Sequence, residues 1–277
     1  MSAPASAPAL TPPAFGHRAR KRFGQNFLVD RGYVRRIVDA VDPRRDDRVV
    51  EIGPGLGALT APLLDRLEHL DVVELDRDLA ARLCADWPAG RLTVHEADAL
   101  KFDFARLGER LRVVGNLPYN ISTPLLFHLG GCASGLRDIT VMLQKEVVER
   151  MVAAPDTPEY GRLSVMLQYR FVLEKLFDVP PGAFRPVPQV RSAVVRLTPR
   201  PAGDLDARDG ALFGRIVAAA FGQRRKMLRN TLAAFLSENE IAALAVDPAG
   251  RGETLSVADY VRLANWCEAN GRPGRSA

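Results

Sequence analysis

The 277 residues suffice for one large domain or for a main domain with a small companion, and the apolar and charged fractions are those of an ordinary globular protein. No apolar run reaches membrane-spanning length, the N-terminus lacks a signal-peptide layout, and Cys84, Cys132 and Cys267 stand far apart with no C-x-x-C pair. A cytoplasmic protein without a disulfide frame, zinc site or membrane span is expected. The net charge is +5, yet residues 1–36 alone carry +6, from Arg18, Arg20, Lys21, Arg22, Arg31, Arg35 and Arg36 against Asp30. Such a cluster is either a solvated face or a contact to polyphosphate, whose neutralisation releases counterions.

Along the chain, residues 1–16 (MSAPASAPALTPPAFG) have the Ala/Pro/Ser composition of a disordered tail. From about residue 30 the pattern alternates. A helix (DRGYVRRIVDAV) precedes a strand (RVVEIG), a helix (LGALTAPLLDRL), a strand (DVVELD), a helix (RDLAARLCADW) and a strand (LTVHEAD). A fourth strand at 111–114 runs into NLPY, a helix-like run (TPLLFHLG) follows, and DITVMLQ is a fifth strand. Valine-rich strands separated by helical patterns predict βαβ units and a mainly parallel, doubly wound α/β sheet. Two further strands, KLFDVP and SAVVRLTP, flank a rigid proline loop, PPGAFRPVPQVR. After PAGDLDARDG the chain reads as helical: ALFGRIVAAAF, RRKMLRNTLAAFL, ENEIAALAV and SVADYVRLANWCEA. The expected division is a tail at 1–16, an α/β domain with a basic arm at 17–203, and a small all-helical domain at 204–277.

EIGPGLGALT (51–60) follows a strand and opens a helix. Its glycines at 53, 55 and 57 let backbone approach a ligand with no Cβ in the way. Glu74 ends the second strand, where a carboxylate can accept ribose hydroxyls, and Asp98 ends the third, where the edge of an adenine would lie. Asp76 reads as the N-cap of the next helix. A dinucleotide fits these features, but the spacing is G-x-G-x-G and position 58 holds alanine; S-adenosylmethionine fits as well. Between these cofactors, NLPY (116–119) decides. The bent corner at Pro118 presents the Asn116 amide, the Leu117 carbonyl and the Tyr119 ring in succession. Hydride transfer has no use for that set. An exocyclic amine on a flat base does: Asn116 Oδ1 and the Leu117 carbonyl accept its two N–H groups, the lone pair turns toward an electrophile, and Tyr119 stacks on the base.

GQNFL (24–28), EIGPGLGALT, VELDRD (73–78), DAL (98–100), NLPYNIST (116–123), MLQKEV (142–147), YGRLSV (160–165), AFRPVPQVRSAVVRL (183–197) and FGQRRKMLRN (221–230) together resemble the ribosomal RNA adenine N6,N6-dimethyltransferase family. The resemblance runs from about residue 21 to the C-terminal helices and is closest to the branch that acts on 16S rRNA. It implies a Rossmann-like, S-adenosylmethionine-dependent methyltransferase. That enzyme would dimethylate N6 of two adjacent adenosines in the 3′-terminal hairpin of 16S rRNA, within a small-subunit assembly particle, as a monomer without metal. It further implies that Asn26 and Leu28, with Gln25 beside them, lie over the methionine part of the donor. Gly53 and Gly55 would contact the donor at the first turn, Glu74 its ribose and Asp98 its adenine amine. Asn116 would touch both donor and target, and Tyr119 and Phe184 would close on the two faces of the target base. Read without the resemblance, Phe184 is a core plug in a proline loop.

Arg224, Arg225, Lys226 and Arg229 give the helix expected over 224–236 a basic face, with Arg225 and Arg229 one turn apart. It is a solvated face or, with the arm at Arg20, Lys21 and Arg22, one side of a bracket that holds an RNA hairpin by shape and phosphate. The target base must then leave its stack. Two alternatives stand beside this reading. A 23S rRNA methyltransferase is disfavoured by the long FRPVPQVRSAV loop and the QRRK segment; a non-catalytic RNA-binding assembly factor is disfavoured by the intact glycines and NLPY.

Overall fold

In chain order the elements are β1 (Phe27–Leu28), α1 (Arg31–Val41), β2 (Val49–Ile52), α2 (Thr60–Leu64), β3 (Leu70–Glu74), α3 (Arg77–Asp86), β4 (Leu92–Glu96) and β5 (Leu111–Asn116). Then come α4 (Ser122–Gly131), β6 (Leu136–Gln144), α5 (Lys145–Val152), α6 (Arg162–Arg170), β7 (Phe171–Val179), β8 (Phe184–Arg185) and β9 (Ser192–Pro199). The chain ends in α7 (Gly210–Gly222), α8 (Leu228–Thr231), α9 (Glu238–Ala243) and α10 (Val257–Ala269). This computed structural model describes residues 25–201, 203–223 and 225–272; the N-terminal tail, the basic arm with Arg20, Lys21 and Arg22, and Arg224 lie outside the described residues.

Seven strands form one sheet in the order β4-β3-β2-β5-β6-β9-β7. The five from β4 to β6 run parallel, and β9 is antiparallel to both β6 and β7. The expected mainly parallel, Rossmann-like sheet is therefore present, with helices packed on both faces. Strand side chains alternate between those faces. Val50, Ile52 and Val113 pack with Leu125, Leu129 and Met151 on one side. Val49, Val72 and Val114 pack with Ile37, Leu63 and Leu83 on the other.

Strand order reverses between β2 and β5, so the C-terminal ends of these neighbours part and open a crevice. Gly115 sits at that junction. A Cβ there would lie 2.5 Å from the Ile52 carbonyl oxygen, so only glycine lets the two strand ends approach this closely.

At the opposite end of β5, Arg112 is buried. Its guanidinium reaches Asp138 at 2.8 Å and Asp47 at 2.7 Å, and donates to the Val41 and Asp42 carbonyls at the end of α1. The C-terminal helices share a core with α6: Tyr160 and Val165 pack among Phe213, Ile216 and Tyr260, and the Tyr160 hydroxyl donates to the Leu255 carbonyl at 2.9 Å.

The helix expected over 224–236 is not continuous. Only Leu228–Thr231 forms α8. The Leu228 and Arg229 N–H groups donate to the carbonyls of Gly250 and Pro248, so tertiary partners set where the helix starts. Arg225 and Lys226 consequently lie in the preceding turn, Arg229 lies on α8, and they share no helix face. Helix α2 starts at Thr60, after a turn through the glycines, where the sequence suggested Leu56.

Candidate active site

The three glycines after β2 all adopt left-handed backbone, with φ of 66° at Gly53, 57° at Gly55 and 80° at Gly57. This is the conformation for which a side chain is a liability. At Gly55 a Cβ would also press to 3.1 Å from the Phe27 ring, so the turn and the segment above it leave no space for one.

Glu74, at the end of β3, is held by that turn. Its Oε2 accepts the Gly55 N–H at 3.2 Å and its Oε1 accepts the Asp76 N–H at 2.9 Å. Burial pushes its carboxyl up, and these backbone donors counter the rise. Asp76 caps α3 by accepting the Asp78 N–H at 3.1 Å, as read from the sequence. Asp98 Oδ1 accepts the Leu100 N–H at 3.0 Å. Gly53, Gly55, Glu74 and Asp98 line one cavity at the C-terminal ends of β2, β3 and β4.

Residues 25–28 cross the mouth of this cavity as a strap. Phe27 and Leu28 form β1, paired antiparallel with Arg185 and Phe184 of β8, and the Val29 N–H donates to the Ala183 carbonyl at 2.8 Å. Gln25 Nε2 reaches Asp76 Oδ2 at 3.4 Å. Gln25, Asn26 and Leu28 all face the cavity.

Asn116 lies where strap and sheet meet. Its Nδ2 donates to the Asn26 carbonyl at 2.9 Å. Only the NH₂ half of an amide can satisfy a carbonyl, so this bond fixes which end of the amide meets the strap and leaves Oδ1 to accept from another group. Leu117 is anchored by its N–H, which donates to the Met142 carbonyl at 3.1 Å. The Tyr119 hydroxyl lies 2.7 Å from Ser192 Oγ, and burial keeps this phenol above its ordinary range. Asn116, Leu117 and Tyr119 line the same cavity as the glycine turn.

The structure thus gathers ten of the eleven cofactor-site and catalytic positions expected from the sequence around one crevice. Phe184 is the exception. It is fully buried among Leu28, Val179 and Val194 and does not line the cavity, which matches the core-plug position read without the resemblance. Of the basic residues, Arg225 and Lys226 are exposed, while Arg229 pairs with Glu238 at 3.2 Å.

Two residues at the site escaped sequence reasoning. Glu51, on β2, is buried on the cavity wall, accepts the Thr60 hydroxyl at 2.7 Å, and has its carboxyl pushed up to about 8 by burial and by the neighbouring Glu74. Ser192 holds Tyr119 from 73 residues away. The acid before the first glycine was a signal for Glu51; nothing local marked Ser192. Among the described residues no cluster of His, Cys, Asp or Glu is arranged to hold a metal, and no helix is long and apolar enough to cross a membrane.

A family model described as "Ribosomal RNA adenine dimethylase" matches residues 16–269. The "Ribosomal RNA small subunit methyltransferase A" of Aromatoleum aromaticum is 65% identical over 253 residues, covering 91% of this chain and 96% of that one. Its counterpart of the same name in Thiobacillus denitrificans is 63% identical, with 90% and 98% covered. Among solved structures, a dimethyladenosine transferase from Plasmodium falciparum superposes with a TM-score of 0.75 at 23% identity, covering 89% of this chain and 98% of that one, a likeness of fold. The 23S rRNA methyltransferase ErmE superposes with a TM-score of 0.69 at 28% identity, with 88% and 100% covered.

Proposed function

We propose, for a chain that belongs to the ribosomal RNA adenine dimethylase family, that it transfers methyl groups from S-adenosylmethionine to N6 of two adjacent adenosines in the 3′-terminal hairpin of 16S rRNA. It would act as a monomer, in the cytoplasm, on an assembling small-subunit particle. Residues 17–203 carry the chemistry in this reading, and 204–277, with the basic arm, hold the RNA. The observation that carries the reading is the Asn116 amide, held by the Asn26 carbonyl through its NH₂ group where it lines the same crevice as the glycine turn, Glu74 and Asp98.

The residues present fit the donor. The glycine turn lets backbone approach a ligand with no Cβ in the way, Glu74 offers a carboxylate to two ribose hydroxyls, and Asp98 offers an acceptor to an adenine amine. When bound, S-adenosylmethionine supplies an electrophilic methyl group on a sulfonium. In the first transfer Asn116 Oδ1 and the Leu117 carbonyl would accept the two N–H groups of N6, directing the nitrogen lone pair toward that carbon; in the second, the single remaining N–H would be held by one of them. Positive charge would grow on nitrogen as it takes the methyl group. The negative ends of the same two dipoles face it and take up its proton's hydrogen bond until the proton leaves to solvent. Tyr119 stacks on the base and keeps it flat across the crevice mouth.

Identity of 65% to a small-subunit methyltransferase, against 28% to a large-subunit one, favours 16S over 23S rRNA. Labelled-methyl transfer to undermethylated small subunits, to large-subunit RNA and to a mock substrate tests this. Label in the small subunit alone is expected; label confined to large-subunit RNA would overturn the choice of substrate.

A further inference from the structure

The loop from Arg185 to Arg191 has a composition and a placement that the transfer reaction does not use. Between Asp178 and Asp204 the chain holds no acidic residue and four arginines. Within the loop, Val187 is 56% and Val190 42% exposed, and Val29, whose N–H bonds to Ala183 beside it, is 39% exposed. Arg185 and Arg191 are also exposed, while Pro188 is buried between them.

The loop is pinned at both ends. At its start Arg185 and Phe184 pair with β1, and Arg185 Nη1 donates to the Gly182 and Phe184 carbonyls at 3.2 and 2.8 Å. At its end the Arg191 carbonyl accepts the Lys145 N–H at 2.9 Å, and the next residue is Ser192, 2.7 Å from the Tyr119 hydroxyl. Two prolines stiffen the span between. Val190 stands two residues before Ser192, within about 7 Å of it along the chain. The loop therefore runs directly into the residue that contacts Tyr119, the side chain read as stacking on the target base.

We propose that this loop is the contact surface for the nucleotides flanking the flipped adenosine. Val187 and Val190 pack against bases that lose a stacking neighbour when the target swings out, and Arg185 and Arg191 meet the adjoining phosphates. The proposal rests on the reading of the site as an RNA adenine dimethyltransferase and adds which residues receive the RNA on the target side. The charge selects the occupant. A surface of exposed valines alone would suit a protein partner, but valines framed by arginines, with no acid over 25 residues of chain, suit a polyanion with apolar faces. Rigidity matters because a flipped base leaves a gap in its stack, and a surface already in shape fills it without an ordering cost.

Two full-length variants test this: Arg191→Ala, and Val187→Ser combined with Val190→Ser. Neither site touches the donor, so donor affinity and thermal midpoint should equal wild type and serve as fold controls. On undermethylated small subunits, each variant should raise KM roughly tenfold, with kcat changed less. Arg191→Ala should also flatten the salt dependence of RNA binding by about one phosphate contact, while the valine variant leaves that slope unchanged. Wild-type KM and salt slope in both variants, with wild-type enzyme active in parallel, would overturn the loop's role alone. Inactive wild-type protein would instead overturn the reading on which it rests.

Discussion

The Tyr119 hydroxyl and Ser192 Oγ lie 2.7 Å apart, joining the NLPY turn after β5 to the first residue of β9. Ser192 is fully buried and paired on both sides, to Gln144 of β6 and Val179 of β7, so it is a fixed post. The ring proposed to stack on the target base is therefore aimed by a hydroxyl contact as well as by the turn that carries it.

Tyr119→Ala should lose the stacking, roughly 1–3 kcal/mol. Tyr119→Phe keeps the face and loses only the anchor, roughly 0.5–1.5 kcal/mol. Ser192→Ala should cost about as much as Tyr119→Phe, and the pair together no more than either alone. Steady-state kcat/KM on undermethylated subunits measures the cycle. Additive losses would mean that the contact aims nothing.

Glu51 makes the pH dependence of the donor-free protein predictable in sign. Its carboxyl titrates at about 8 in the fold against an ordinary 4.5, so between these values the folded state binds the extra proton. The contribution of this group to stability is then fullest below about 4.5, falls as pH rises toward 8, and levels off above. Glu51→Gln keeps an acceptor for Thr60, so it should flatten this slope and be the more stable protein near pH 9, by on the order of a few kcal/mol. Urea unfolding near pH 6 and pH 9 reads it. A variant with the wild-type slope would show that Glu51 is not the titrating group.

Glu74→Ala should weaken S-adenosylmethionine binding by roughly 1–3 kcal/mol, because two ribose hydroxyls lose their acceptor. The same change frees the Gly55 and Asp76 N–H groups that now hold the carboxylate, so the glycine turn should loosen with it. Titration calorimetry gives the number, and unchanged affinity would remove Glu74 from the donor site.

Arg112 supports the fold from the far end of the same strand, four residues and about 13 Å from Asn116. Arg112→Met strands Asp138 without its cation and leaves Asp47 with Arg137 alone, and should cost roughly 3–5 kcal/mol of stability, while kcat of the folded fraction stays near wild type. A urea midpoint equal to wild type would contradict the network's weight.

Much of this site was legible in the sequence because its signals are local. The glycine turn, Glu74, Asp98 and NLPY each sit at a strand end, and parallel strands bring such ends to one edge whatever the loops between them do. The contacts that fix the site were not legible. Asn26 meets Asn116 across 90 residues and Tyr119 meets Ser192 across 73, and no periodicity reports such pairings. The two-residue ribbon of β1 and β8 is too short to show a strand pattern. The stretch 224–236 misled for the opposite reason. Leu228, Leu232, Phe235 and Leu236 are buried at helical spacing, yet the carbonyls of Pro248 and Gly250 decide where its helix begins.

Dimethylation removes both N–H groups from the Watson–Crick edge of adenine, so reverse transcriptase must stop at a doubly methylated base. Primer extension through the 3′-terminal hairpin of undermethylated 16S rRNA, after incubation with the protein and S-adenosylmethionine, therefore tests the account most directly. Strong stops at two adjacent adenosines are expected with wild-type protein, and none with Asn116→Ala, which lacks the acceptor proposed to aim the lone pair. Stops elsewhere in the RNA, or stops that persist undiminished in Asn116→Ala, would contradict it.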